Sequence, residues 1–548
     1  MTADFILPRD ADLGLRRIAN RTGLAAALLP NGTIFALSHR ADEKSDPVLV
    51  NQVLGSPISG GIGRLLLRLG GGHVVEAVGP AARLRVGVGP DRFVWAGETD
   101  GLAHRATLWL APEANLWLWR VEVENTGAAA AEVSAVLLQD IGLGSRGFLM
   151  NNEAYGSQYT DHHIARHPRL GPVVMSRQAL AQSGRIPWVA HGCLEGAAGF
   201  ATDAAQSFGP GFRDQAEVTG DLPSERLQHE VACPAIASGT ATLVPGAKTA
   251  WSFFGLFVPD HKAASSDDDL AMVDQALTVA GSFRPAEVAL ETPVRGLLQD
   301  APPLVAEDLD AAALDRLWPA RRLEERQDGA LQSFFVDEGD LNRHIVLRAK
   351  ERDLRRRHGA LLRSGAALLP TDELLCATVW AHGVFAAQLT VGNTSFHKLF
   401  SVSRDPYNIT RASGLRILVE GGEGWRLLSV PSAFEMGLAE ARWIYRFSGR
   451  TVTVCAAVSG ADAAMQWRVA VEGAPCRFLV LGHLVLGERE LEQAGRVSID
   501  AAAKRIAFRP DPDWLWGQRY PDSVYHLVTP TPDAIEAVGG DELLYADG

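Results

Sequence analysis

Trp119-Arg120-Val121-Glu122-Val123-Glu124 is the stretch that decides the fold. Successive side chains of an extended chain point to opposite faces, so Trp119, Val121 and Val123 share one face and Arg120, Glu122 and Glu124 the other. One apolar and one charged face predict a half-buried antiparallel strand. The device returns at Trp467-Arg468-Val469-Ala470-Val471-Glu472. Each copy has a strand upstream, Ala106 to Leu110 and Thr451 to Val454. Each is followed by a glycine turn and an apolar strand ending in Leu-Gly-x-Arg, at Leu143 to Arg146 and Leu486 to Arg489. An internal repeat of this kind predicts two copies of one large antiparallel β-sandwich.

Around these strands the text remains β in character. Phe93-Val94-Trp95 and Leu116 to Glu124 are punctuated by turns at Pro30 to Gly32, Gly70 to Gly72 and Glu124 to Gly127. Between the copies the period changes. Leu270, Met272, Val273, Ala276, Leu277 and Ala280 recur at helical spacing behind Asp267, Asp268 and Asp269, which suit a helix N-terminus. Leu309 to Trp318 reads as a second helix, and Gln332 to Leu362 as a strand pair or extended arm. These readings predict a first sandwich over 1–264, a helical and extended connector over 265–370, and a second sandwich with the start of a linker over 371–548. Asp541 to Tyr545 reads as the start of a further apolar element.

The chain of 548 residues is too long for one core, and 47% hydrophobic with 21% charged residues is a globular composition. A formal charge of −13 without a basic stripe argues against a nucleic-acid partner. Five scattered cysteines, Cys193, Cys233, Cys376, Cys455 and Cys476, form no disulfide framework and no zinc spacing. The first ten residues lack the basic and apolar regions of a signal peptide, and no run of about 18 apolar residues occurs. The expectation is a soluble cytoplasmic protein with no membrane partner.

Asn151-Asn152-Glu153-Ala154-Tyr155-Gly156-Ser157-Gln158-Tyr159-Thr160-Asp161-His162-His163 follows an apolar run, Ala135 to Leu143. Almost every side chain in it donates or accepts a hydrogen bond, and two tyrosines supply flat amphipathic faces. Such a segment is a poor core and suits a neutral polyhydroxylated ligand, whose C–H faces lie on rings while its hydroxyls meet fixed polar groups. Its other reading is a polar loop whose tyrosines cap the sheet. Asn393 to Lys398 with Ser403 to Asn408 is a second donor-rich cluster. Pro431 to Gly437 running into Arg442-Trp443-Ile444-Tyr445 reads first as core and turn.

Familiar catalytic signatures are missing: no Gly-x-x-x-x-Gly-Lys-Ser/Thr, His-Glu-x-x-His or Gly-x-Ser-x-Gly occurs. Gly142 to Gly147 spells Gly-x-Gly-x-x-Gly, but without a βαβ pattern and without a clear helix after it, so a glycine turn is expected. Asp161, His162, His163 and His167 are metal-ligand types, yet neighbouring histidines point to opposite faces of a strand; no metal is expected.

Asn152-Glu153-Ala154-Tyr155-Gly156-Ser157-Gln158-Tyr159-Thr160-Asp161-His162 resembles a run in the β-1,2-oligoglucan phosphorylases and in the matching region of cyclic β-1,2-glucan synthases. Both belong to the cellobiose-phosphorylase-like glycoside hydrolase family 94. Arg357-His358-Gly359, Ser395 to Arg404, Pro431 to Gly437 and Arg442 to Tyr445 carry the resemblance further, somewhat closer to the phosphorylases. It implies a mainly β chain, with two sandwiches of the supersandwich type leading to an (α/α)6 barrel.

On that barrel an aspartate would act as general acid, while inorganic phosphate, the co-substrate, would attack the anomeric carbon and release glucose 1-phosphate with inversion. No helical-hairpin array long enough for the barrel is found here. The expectation is therefore a non-catalytic N-terminal region with no cofactor of its own, which rims the active site and supports a homodimer.

The partners implied are a β-linked glucooligosaccharide and the barrel, and the candidate contacts are Asn152, Glu153, Tyr155, Gln158, Tyr159, Asp161, His162, His397 and Arg404. Two other readings stand beside it: a stand-alone glucan-binding or scaffolding protein, or the related region of a glucan synthase. A self-sufficient glycosidase using Glu153 and Asp161 lacks a recognisable partner carboxylate.

Overall fold

The computed structural model describes residues 14–42, 45–55, 63–209, 221–228, 231–338, 341–353, 357–363, 375–391, 399–400, 414–459, 463–485 and 495–545. They divide into two compact units, one ending at Arg295 and the other starting at Gly296. Both are mainly β and built from antiparallel sheets.

In the first unit, Leu116–Asn125 lies inside an eight-stranded sheet whose edge strands are Arg85–Val88 and Thr160–His167. Its neighbours are Leu102–Leu110 and Lys248–Val258, so Val121 sits between Ala106 and Trp251. Trp119, Val121 and Val123 are buried in one core with Leu65, Leu67, Ala135 and Ile236 of a facing six-stranded sheet. Arg120, Glu122 and Glu124 take the other face at intermediate exposure, as the alternation requires. Burying each large apolar side chain contributes roughly 1.5–3 kcal/mol, so two apposed faces make the sandwich stable. Further along the same strand the outer face is also covered. Leu118, Val173, Met175 and Ala190 pack under Val273, Ala276 and Ala280 of the helix Leu270–Ala280. Ser266 and Asp269 cap the preceding turn, with Asp269 Oδ2 accepting the Ser266 N–H at 2.8 Å.

In the second unit, Arg450–Val458 and Met465–Glu472 repeat the hairpin of Leu102–Leu110 and Leu116–Asn125. In both copies the next strand, Ala131–Leu138 or Phe478–Gly482, joins a different, six-stranded sheet. The copies differ in position. Met465–Glu472 is the edge of a seven-stranded sheet, and Trp467, Val469 and Val471 are only partly buried against its core. The stretch Leu486 to Arg489 lies outside the described residues.

The expected connector over 265–370 does not stand as one segment. The helix Leu270–Ala280 packs on the first unit. Arg322–Gln327, Ala330–Glu338 and Leu341–Leu347 are consecutive strands of the seven-stranded sheet of the second unit. Charged Arg322–Gln327 is exposed throughout, as an edge strand can be, and this hid its membership of a sheet. The second expected helix is Ala311–Leu317, with Asp310 Oδ1 accepting the Ala313 N–H at 2.8 Å. Asp541–Leu543 is a single 3₁₀ turn. Leu544 O then accepts the Leu297 N–H at 2.7 Å, and Tyr545 bridges Gly296.

Candidate functional site

The polar stretch of the first unit is not a loop. A short helix, Arg146–Asn152, runs into a 3₁₀ turn, Glu153–Tyr159, and then into the edge strand Thr160–His167. The helix follows Gly142 and Gly144, where sequence suggested none, but those glycines serve packing. A Cβ on Gly142 would lie 2.7 Å from Leu149 Cδ2, and one on Gly144 2.5 Å from Phe148 Cδ1. Asn152 Nδ2 donates back to Phe148 O at 2.7 Å, so its amide is engaged with the helix.

Three residues per turn place Tyr155 and Gln158 on one side of the 3₁₀ turn, and both are exposed. Tyr155 is 66% exposed and Tyr159 39%, large values for rings with this much apolar surface. Between them Ser157 points inward and is 2% exposed. The Ala179 N–H donates to Tyr159 O at 2.6 Å and fixes the end of the turn to the adjoining strand.

From Thr160 the alternation of a strand takes over. Asp161 is at intermediate exposure, opposite Arg177, while His162 turns into the sandwich and is 1% exposed. His162 Nδ1 lies 2.8 Å from Ser176 Oγ, and its carbonyl accepts Arg226 NH1 at 2.7 Å. Burial, reinforced by the Arg226 charge, pushes the His162 pKa down to about 4. His191, two strands away in the same sheet, is pushed down to about 3 by burial and by its neighbour His162. Expected as a sugar contact, His162 is therefore an interior group; its place on a strand starting at Thr160 turns it away from the surface.

Three histidines, His163, His167 and His261, each pair with an aspartate of the turn Asp267–Asp269 or the helix Leu270–Ala280. His163 Nε2 lies 2.9 Å from Asp267 Oδ1, His167 Nε2 3.0 Å from Asp274 Oδ1, and His261 Nε2 2.8 Å from Asp269 Oδ1. Among the described residues no group of three or more His, Cys, Asp or Glu side chains is arranged to hold a metal.

Glu153 lies in the 3₁₀ turn, while His397, Arg404 and the cluster Asn393 to Asn408 fall outside the described residues. In the second unit the segment Pro431 to Tyr445 is core: Phe434, Trp443 and Tyr445 are buried together. The structure thus leaves Tyr155, Gln158 and Tyr159 exposed on one turn and separates His162 from them. Sequence reasoning passed over Ser157, Gln52 and Asp140, which seat the turn; nothing in their spacing signals that they meet.

Residues 27–255 match the SOGP N-terminal domain, and residues 318–547 the glycoside phosphorylase supersandwich domain. The chain thus carries a SOGP N-terminal domain followed by a glycoside phosphorylase supersandwich domain. It is 30% identical over 441 residues to the 1,2-beta-oligoglucan phosphorylase of Listeria innocua serovar 6a, an alignment covering 79% of this chain and 38% of that one. The matches support an N-terminal-like region of such an enzyme, and the chain spans a little over a third of that relative's length.

Solved structures matched to parts of the chain include a GalM/aldose epimerase homologue of C. elegans, 9% identical with a TM-score of 0.26, covering 45% of this chain and 99% of that one. Another is the 4-alpha-glucanotransferase of Thermococcus litoralis, 8% identical with a TM-score of 0.22, covering 44% and 37%. Scores this low say nothing about function. Among the described residues no helix is long and apolar enough to cross a membrane.

Proposed function

We propose that these residues are the non-catalytic N-terminal region of an inverting β-1,2-glucooligosaccharide phosphorylase of glycoside hydrolase family 94, and that the turn Glu153–Tyr159 supplies sugar contacts. The observation that carries the reading is the exposed pair Tyr155 and Gln158 on one side of that turn, with Tyr159 beside them. A ring offers its face to the C–H groups of a glucose unit while an amide donates and accepts with its hydroxyls.

The listerial relative, a phosphorylase of 1,2-β-oligoglucan, supports the substrate class. In the proposed complete enzyme the general acid protonates the glycosidic oxygen and phosphate attacks the anomeric carbon from the opposite face, giving glucose 1-phosphate. That step is assigned to an (α/α)6 barrel, with the present units rimming its site and supporting a dimer in the cytoplasm. The division of labour is tested by incubating this chain with β-1,2-linked glucooligosaccharides and inorganic phosphate. No glucose 1-phosphate is expected, and its release would overturn the non-catalytic role.

A further inference from the structure

Ser157 is the one buried hydroxyl of a turn whose flanking tyrosines are exposed, and it joins three distant segments. Its Oγ donates to Gln52 Oε1 at 3.0 Å and accepts the N–H of Ala232 at 3.1 Å, at the start of the strand Ala232–Ser238. Gln52 is itself held. The buried carboxylate of Asp140 accepts the N–H groups of Gln52 and Val53, each at 2.8 Å. The N–H of Ile141, the next residue, donates to Ala232 O at 2.8 Å, closing the arrangement. At the end of the turn the Thr160 N–H donates to Ser157 O. Seven residues of 3₁₀ turn have weak internal bonding, so their orientation depends on such an anchor.

We propose that Ser157 is a positioning residue for the glucan-contacting face: through Gln52 and Ala232 it holds Tyr155, Gln158 and Tyr159 in the orientation that meets the sugar. This rests on the reading of that face as a sugar contact. Holding rings in place before the ligand arrives removes an ordering cost from binding. Removing the hydroxyl frees the turn without touching any group that meets the ligand.

The test uses fluorotyrosine at positions 155 and 159, observed by fluorine NMR, together with calorimetric titration of β-1,2-linked glucooligosaccharides and thermal unfolding. In Ser157→Ala the two fluorine lines are expected to shift or broaden and affinity to fall at least about fivefold, with the unfolding midpoint little changed. Gln52→Met keeps the serine and removes its acceptor, so it is expected to give the same pattern and decides the matter if Ser157→Ala does not fold. Wild-type lines and wild-type affinity in a folded variant would overturn the proposal. If the unsubstituted chain binds no glucan, the sugar reading fails instead, and the fluorine lines still decide whether Ser157 fixes the tyrosines.

Discussion

Gly255 lies directly beneath the ring of Trp117: a Cβ at position 255 would sit 2.0 Å from Trp117 Cε2. The two residues are register partners in the eight-stranded sheet, and the indole Nε1 donates to Gln139 Oε1 at 3.2 Å, which fixes the ring in place. Gly255→Ala is therefore expected to cost about 1–3 kcal/mol, by forcing a fully buried tryptophan of that core off its seat. Equilibrium denaturation followed by tryptophan fluorescence measures it, and a change below about 0.5 kcal/mol would show that the indole has room to move.

In the second unit Glu435 is buried and joins three groups. Trp318 Nε1 donates to its Oε1 and Arg343 NH1 to its Oε2, each at 3.0 Å, and Arg442 lies 3.6 Å away. Arg343 is buried as well, with Glu440 at 3.4 Å as a weaker partner. Glu435→Ala leaves the guanidinium short of charge and the indole short of an acceptor. Loss of one partner of a buried pair costs about 3–5 kcal/mol, so a clear drop in the denaturation midpoint is expected. Arg442→Ala, half exposed at the rim of the same network, is expected to cost under about 1 kcal/mol.

Acid should weaken the first unit through His162 and His191. Both folded-state pKa values lie below the ordinary 6.5, at about 4 and about 3, because burial disfavours the charged ring. The unfolded chain thus binds more protons between those values and 6.5. Stability is complete above pH 6.5 and is lost as pH falls toward 4 and then 3. For His162 the loss by pH 4 is on the order of 3 kcal/mol. His162→Gln should flatten part of this slope; an unchanged slope would mean that other groups govern acid stability.

Sequence alone reached the strand faces because alternation is local. Trp119, Val121 and Val123 went to the core as their spacing requires. It could not tell that Trp467–Glu472 belongs to an edge strand while Trp119–Glu124 lies inside a sheet, since partners such as Trp251 are far along the chain. The turn at Tyr155 was legible as a polar, ring-bearing stretch. Where it ended was not: the strand begins at Thr160, and that start alone decides that His162 faces inward and His163 outward. Ser157 and Gln52 meet across 105 residues, a pairing no local pattern encodes.

The most direct measurement of the central claim is calorimetric titration of the chain, and of Tyr155→Ala and Tyr159→Ala, with β-1,2-linked and β-1,4-linked glucooligosaccharides. Selective binding of the β-1,2 series is expected, weakened roughly tenfold or more, about 1.4 kcal/mol, in each variant. Binding that is unchanged in both variants, or that does not distinguish the two linkages, would contradict the account.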